Sequence, residues 1–172
     1  RGKKPMKVTC VDKANVFKSM AFFRAIYDEV AADYADVERD YAYVDALSMY
    51  LLQRPQSYDV MVAENMYGDI ISDLAAGLIG GLGMAPSGDI GEDAAVFQPS
   101  HGTAPDIAGR GLANPIAMVL SAALMLRWLG DRDGDDTAHE GAERIEAAVR
   151  AVVGDGGVGT PDLGGALSSG EL

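Results

Sequence analysis

Short runs rich in β-branched and aromatic residues alternate with stretches of helical spacing along the first part of the chain. Residues 6–11 (MKVTCV) read as a buried strand. Val16, Met20, Phe23, Tyr27 and Val30 then fall four, three, four and three apart, on one stripe of a helix. Residues 37–44 alternate roughly, with Tyr41 and Tyr43 on one face, and predict a second strand. A short helical pattern follows and stops at Arg54-Pro55. Residues 58–63 (YDVMVA) predict another buried strand. Alternation of this kind points to an α/β architecture with a largely parallel sheet.

Further on, a helix is expected to start near Gly68 and to run through IISDLAAGLI until the glycines of 77–83 (GLIGGLG) break it. A domain crossing is placed there, giving segments 1–79 and 80–172. Residues 84–113 read as loop, with a little strand around Ala95 to Gln98. Asn114 suits an N-cap, Pro115 the first helical position and Gly130 the C-terminal cap. The helix between them is apolar on nearly every side up to Arg127 and is expected to be buried. A last helix runs from about Ala138 to Val153, with Ile145, Val149 and Val152 as its buried stripe and Gly154 at its end. Three or four strands make a thin sheet for 172 residues. With Arg1 in place of an initiating Met, this leads us to expect a piece of a longer protein.

Composition narrows the partners. Hydrophobic residues make up 48% of the chain, enough for a packed core. Lys and Arg number 14 against 26 Asp and Glu, a net charge of -12. That balance argues against nucleic acid, which needs a basic face, and against an anionic membrane surface. The single cysteine, Cys10, sits in an apolar stretch and is expected to be a buried, inert thiol in a reducing, cytoplasmic setting. The longest strongly apolar run, Ile116 to Leu126, is too short to span a bilayer. The basic start, Arg1 to Lys7, lacks the apolar segment of a signal peptide.

The strongest local signal is Gly68-Asp69-Ile70-Ile71-Ser72-Asp73. Asp69 and Asp73 are four apart at the expected start of a helix, so both carboxylates share a face. Two hard oxygen ligands one turn apart suit Mg2+ or Mn2+; on spacing alone, two acids stabilising a helix N-terminus are the preferred reading. Asp45 follows a strand and fits either a further ligand or an N-cap. Lys13, just past a strand, fits an acid–base role or a solvated charge. The segment 100–115 offers small residues, many backbone N–H groups, His101, Asp106 and Asn114. Such a loop can hold a nucleotide, and a carboxylate like Asp106 can accept from ribose hydroxyls while repelling a 2′-phosphate. It equally reads as an irregular loop with a capping Asn.

Two patterns are set aside. Gly154, Gly156 and Gly159 have dinucleotide-fingerprint spacing but follow a helix and precede Pro161. Asp131, Asp133 and Asp135 resemble the start of a calcium loop, but its sixth position is Asp136 and its twelfth Ala142, so a solvated acidic turn is expected.

The order of the motifs is more specific than any one of them. Val11-Asp-Lys-Ala-Asn, Tyr43-Val-Asp-Ala, Asn65-Met-Tyr-Gly-Asp-Ile-Ile-Ser-Asp-Leu, His101-Gly-Thr-Ala-Pro-Asp-Ile-Ala-Gly, Ala113-Asn-Pro and Thr160-Pro-Asp-Leu-Gly-Gly follow in series. The series resembles the isopropylmalate and isocitrate dehydrogenase family of β-decarboxylating dehydrogenases over nearly the whole chain, and corresponds to the C-terminal half of such an enzyme. The resemblance implies that family's two-domain fold, which is not a standard Rossmann domain. Residues 1–79 would belong to the metal, substrate and dimerisation domain, and 80–172 to the cofactor domain.

It also implies residue roles. Asp69 and Asp73 would bind Mg2+ or Mn2+ from one subunit, while Asp45 completes that site and Lys13 transfers a proton from a neighbouring copy. His101, Gly102, Thr103, Ala104, Pro105, Asp106 and Asn114 would hold the adenosine part of the cofactor. Members that use NADP carry Lys then Tyr where this chain has Asp106 and Ile107, so Asp106 points to NAD. The expected activity is oxidative decarboxylation of a malate-type 2-hydroxy diacid, with 3-isopropylmalate favoured and isocitrate, tartrate or malate as alternatives. A homodimer or higher oligomer with shared active sites is implied. A non-catalytic regulatory subunit of the same fold and an unrelated acidic binding module are the competing readings.

Overall fold

The computed structural model describes residues 6–154 and 159–172. It divides into two compact units, Arg1–Ala75 and Ala76–Leu172. The division falls four residues before the expected crossing at 79/80, inside a helix.

In the first unit, β1 (Lys7–Asp12) lies between β2 (Glu38–Tyr43) and β3 (Val60–Ala63), and both pairings are parallel. Its central place explains why Thr9 to Asp12 are fully buried while the first two residues are only partly covered. The intervening helices are α1 (Lys18–Ala31) and α2 (Val44–Gln53), and α3 (Asn65–Leu78) follows β3. Val11, Ala42, Leu47, Leu51 and Ile71 form the core. Leu47 and Leu51 are one turn apart on α2, so both reach it; a fully buried Leu contributes about 1.5–3 kcal/mol.

Three expectations are corrected here. Residues 58–63 do not form a buried strand: β3 is an edge strand with Val60 and Val62 exposed. The α1 stripe is covered only in its middle. Phe23 and Tyr27 are half-buried, the Tyr27 hydroxyl donates to the Val8 carbonyl at 2.8 Å, and Val16 and Val30 are exposed. Finally, α3 starts at Asn65 rather than Gly68. The Glu64 carbonyl accepts the Gly68 N–H at 2.8 Å, and the Glu64 carboxylate accepts the Met66 N–H at 3.2 Å. An acid at the helix entrance supplies the cap, and the glycine lies inside.

In the second unit, β4 (Pro86–Ile90) and β5 (Ala95–Pro99) form an antiparallel hairpin against which α4 (Ile116–Asp133) packs, and α5 (Asp136–Gly154) packs on α4. The sequence showed only the second strand, because PSGD in β4 has little strand propensity; the pairing supplies the order. Gly88 has no Cβ, which leaves the Phe97 ring room to lie across it.

Gly130 is not a C-cap. It is buried inside α4, where a Cβ would meet the His139 ring of α5 at 2.8 Å. The cap is Gly134, in the left-handed region at φ 68°. The expected solvated acidic turn is present: Asp131, Asp133 and Asp135 are exposed, the first two end α4, and Asp135 accepts the Thr137 N–H at the start of α5. Ile116, Ala117, Ser121 and Ala123 of α4 are buried, whereas Met118, Val119 and Met125 are exposed, so the helix is half-sheltered rather than enclosed. On α5, Ile145, Val149 and Val152 are half-buried and Ala142 fully so. The basic start before Met6, and the glycine set-aside at Gly156, lie outside the described residues. Among the described residues no helix is long and apolar enough to cross a membrane.

Candidate functional site

In an open parallel sheet, ligands collect beyond the carboxyl ends of the strands. Lys13 directly follows β1, and Asp45 lies in the first turn of α2 directly after β2. The two meet there: Lys13 Nζ is 2.6 Å from Asp45 Oδ2 and lies over the Tyr43 ring, 5.6 Å from its centre. The ammonium beside it holds the Asp45 carboxyl below the usual carboxylate range. Tyr43 occupies the N-cap position of α2 and Asp45 lies two residues inside the helix, so its alternative reading as an N-cap is not what the structure shows. The Asp45 side chain is 66% exposed. Such a pair adds little stability, and its significance is where it puts the two groups.

The turn that carries Lys13 is built from a residue the sequence reading passed over. Asp12 is fully buried, and its carboxylate accepts both Arg24 Nε at 2.7 Å and Arg24 Nη2 at 2.9 Å. Its Oδ1 also accepts the Ala14 N–H at 2.8 Å, which ties down the residue after Lys13. The Arg24 guanidinium lies over Tyr41 and Tyr43, 5.1 and 5.4 Å from the ring centres. A buried acid twelve residues before an arginine on the next helix leaves no periodic trace, which is why the sequence hid it.

Asp69 and Asp73 lie on the exposed surface of α3, one turn apart. Because α3 begins at Asn65, neither is in its first turn, and the helix-end alternative falls away. Neither carboxylate has a partner among the described residues. No group of three metal-binding side chains gathers among the described residues, so Asp45 is not brought to Asp69 and Asp73 within one chain.

The second unit carries a cavity of about 610 Å³. His101, Gly102, Thr103, Ala104 and Asn114 line it; Pro105 and Asp106 do not, and sit in the exposed 3-10 turn Pro105–Ile107 beside it. Ala104 adopts the left-handed region at φ 42°, a conformation that costs a non-glycine residue about 1 kcal/mol or more. Strain of this kind persists where the surrounding loop fixes it. The His101 ring Nδ1 lies 2.8 Å from the Gly102 carbonyl. Pro115, expected at the first helical position, is itself the N-cap of α4, and Asn114 stands one residue before it with its Oδ1 accepting the Ile116 N–H at 2.9 Å. Asp162 and Ser169 also line the cavity. Asp162 stands in the Thr160-Pro-Asp motif, where nothing in the spacing marks it as a lining residue.

The family described as isocitrate/isopropylmalate dehydrogenase matches residues 1–171. The chain is 48% identical over 167 residues to a 3-isopropylmalate/3-methylmalate dehydrogenase of Methanocaldococcus jannaschii, covering 96% of this chain and 48% of that protein. It is 51% identical over 154 residues to an isocitrate/homoisocitrate dehydrogenase of Thermus thermophilus, covering 89% of this chain and 44% of that one. The crystal structure of isocitrate dehydrogenase from Methylococcus capsulatus superposes with a TM-score of 0.86 at 48% identity, over 96% of this chain and 48% of the other. The chain thus spans about half the length of the curated relatives it matches.

Proposed function

The chain belongs to the isocitrate/isopropylmalate dehydrogenase family, and on that premise we propose that it forms the metal- and cofactor-binding part of an NAD-dependent oxidoreductase that oxidatively decarboxylates a malate-type 2-hydroxy diacid. The observation that carries this reading is the pair of unpartnered carboxylates, Asp69 and Asp73, on one face of α3 in the unit that presents Lys13 and Asp45 at the carboxyl edge of its sheet. Two hard, uncompensated oxygen donors one turn apart fit Mg2+ or Mn2+. When bound, the cation supplies Lewis acidity toward the substrate's hydroxyl and adjacent carboxylate, and NAD supplies the hydride acceptor.

The chain's own residues do the rest. Lys13 takes part in removing the hydroxyl proton, and Asp45 holds Lys13 in place and completes the metal site of a second copy. His101 to Asp106 and Asn114 hold the adenosine half of NAD, with Asp106 accepting from the ribose hydroxyls and disfavouring a 2′-phosphate. The second copy is needed because Asp45 is not brought to Asp69 and Asp73 within one chain. Met49 and Leu52 on α2, and Met66 and Ile70 on α3, are exposed apolar residues on the helices that carry these carboxylates and would serve that homodimer as contacts. Among the diacids we assign 3-isopropylmalate, and with it leucine biosynthesis, on the motif series. Relatives of similar identity bear the names of isocitrate and homoisocitrate enzymes, which adds homoisocitrate to the alternatives.

The test uses the full-length protein with Mn2+ and NAD, offered 3-isopropylmalate, isocitrate, homoisocitrate, tartrate and malate in turn. NADH formation with one of them is expected, and Asp73→Asn should abolish it while leaving the circular dichroism spectrum intact. A protein that reduces NAD with none of the five overturns the reading and favours a regulatory subunit.

A further inference from the structure

We propose that the segment from Thr160 to Ser169 is a clasp that sets one wall of the cavity in the second unit, with Asp162 as its positioning residue for nucleotide binding. The inference rests on the reading of that cavity as the NAD site.

Asn114 is buried, and both ends of its side chain are used inside the protein. Oδ1 accepts from Ile116, while Nδ2 donates to Asp162 Oδ2 at 3.0 Å and points to Met84 Sδ at 3.7 Å. These contacts fix the orientation of the carboxamide, and Asp162 sets where it and the backbone around it meet the cavity. Asp162 is braced in turn: the hydroxyl of fully buried Thr160 donates to its Oδ1 at 2.5 Å. Each carboxylate oxygen therefore accepts from a protein donor.

The same wall is held a second time. The Ser169 hydroxyl donates to the Ala113 carbonyl at 2.5 Å, and the Ser169 N–H donates to the Gly111 carbonyl at 2.8 Å. Residues 111–114 are thus pinned from one side by a carboxylate and from the other by a serine, both from the tail. Two glycines show how closely the parts are pressed. A Cβ on Gly83 would lie 2.8 Å from Asp162 Oδ2 and 2.9 Å from Asn114 Cβ, and a Cβ on Gly165 would lie 1.8 Å from the Gly159 carbonyl oxygen. A wall held in place before the ligand arrives spares the ligand the cost of ordering it.

The experiment measures NADH and Mn2+ affinity separately in the full-length protein, by NADH fluorescence and by Mn2+ calorimetry, without substrate. Asp162→Ala leaves the buried Asn114 amide short of an acceptor and should weaken NADH binding roughly tenfold. Asp162→Asn, which still offers Asn114 an oxygen, should recover most of that loss. Ser169→Ala should weaken NADH binding in the same direction, and it carries the test alone if Asp162→Ala does not fold. Mn2+ affinity should stay level in all three. Unchanged NADH affinity in the alanine variants, or an equal fall in NADH and Mn2+ affinity, overturns the clasp. A wild-type protein that binds Mn2+ but no NADH instead overturns the nucleotide reading of the cavity, and the clasp with it; wild-type binding matched by Asp162→Ala overturns the clasp alone.

Discussion

Truncating Arg24 to alanine should cost far more than its place on a half-exposed helix suggests. Asp12 is fully buried, and Arg24 supplies two of the three strong donors to its carboxylate, at 2.7 and 2.9 Å; the Ala14 N–H at 2.8 Å is the third. The Cys10 thiol, 3.6 Å away, is a weak fourth. Removing one partner of a buried ion pair costs about 3–5 kcal/mol, because a charge is left stranded. The Arg24 side chain is 28% exposed, so water reaches part of the gap and the lower end, about 3 kcal/mol, applies. Loss of the stacking on Tyr41 and Tyr43 adds about 0.5–1 kcal/mol. Arg24→Lys keeps the charge but not the two-pronged geometry, and should cost about 1–2 kcal/mol.

The assay is urea unfolding of the full-length protein, read as a fall in midpoint at constant slope, for Arg24→Ala, Arg24→Lys, Asp12→Asn and the double variant. The pair is coupled, so the double variant should lose less than the two singles together. A loss below about 1 kcal/mol for Arg24→Ala, the range of ordinary surface pairs, would refute the reasoning. So would simple additivity in the double variant.

Two further outcomes follow from single side chains. Burial, and then the neighbouring Asp12 carboxylate, push the Cys10 thiol up to about 12. It should resist a disulfide-forming thiol reagent in the native protein and react only as the protein unfolds; rapid stoichiometric labelling under native conditions would refute this. Glu146 accepts both prongs of Arg127 at 2.7 and 2.9 Å, and that arginine holds its carboxyl below the ordinary 4.5. A carboxyl depressed by folding adds stability above its unfolded value and loses it as the pH falls through the folded one. Thermal unfolding followed from neutral pH to below 4.5 should therefore show a steeper acid fall in the wild type than in Glu146→Gln, and parallel curves would count against the pairing.

The parts of the fold that could be read from sequence are those with a local period. β1, β2, α2 and α5 came out within a few residues of their observed bounds because their apolar spacing matched a strand or a helix. What misled was punctuation. Gly68 and Gly130 look like helix ends, yet one lies a turn inside α3 and the other is buried where α4 packs on α5. A glycine that makes room for a neighbouring helix and one that ends its own are the same letter, and only the packing partner tells them apart. β4 was unreadable for the opposite reason: its residues have no strand preference, and its order comes from β5. In the site, Lys13, Asp45, Asp69, Asp73 and the loop from His101 were visible because they stand in short fixed motifs. Asp12 with Arg24, and Asp162 with Asn114, were not, because their pairing spans 12 and 48 residues and exists only in three dimensions.

The displaced start of α3 strengthens the metal reading. Had the helix begun at Gly68, Asp69 and Asp73 would sit at or near the positive end of its dipole, and that field alone would account for them. With Glu64 already at the helix entrance, the two acids fall further along, beyond most of that field. There, like charges four residues apart cost a helix about 0.2–0.5 kcal/mol. No lysine, arginine or hydrogen-bond donor among the described residues offsets them. An exposed helix with free choice of residues would relieve that repulsion with a single neutral substitution. A divalent cation bound between the two would remove that repulsion, and a third carboxylate would add to its coordination. On the proposed reading the third is the Asp45 of a second copy, a residue that Lys13 holds at the edge of the sheet.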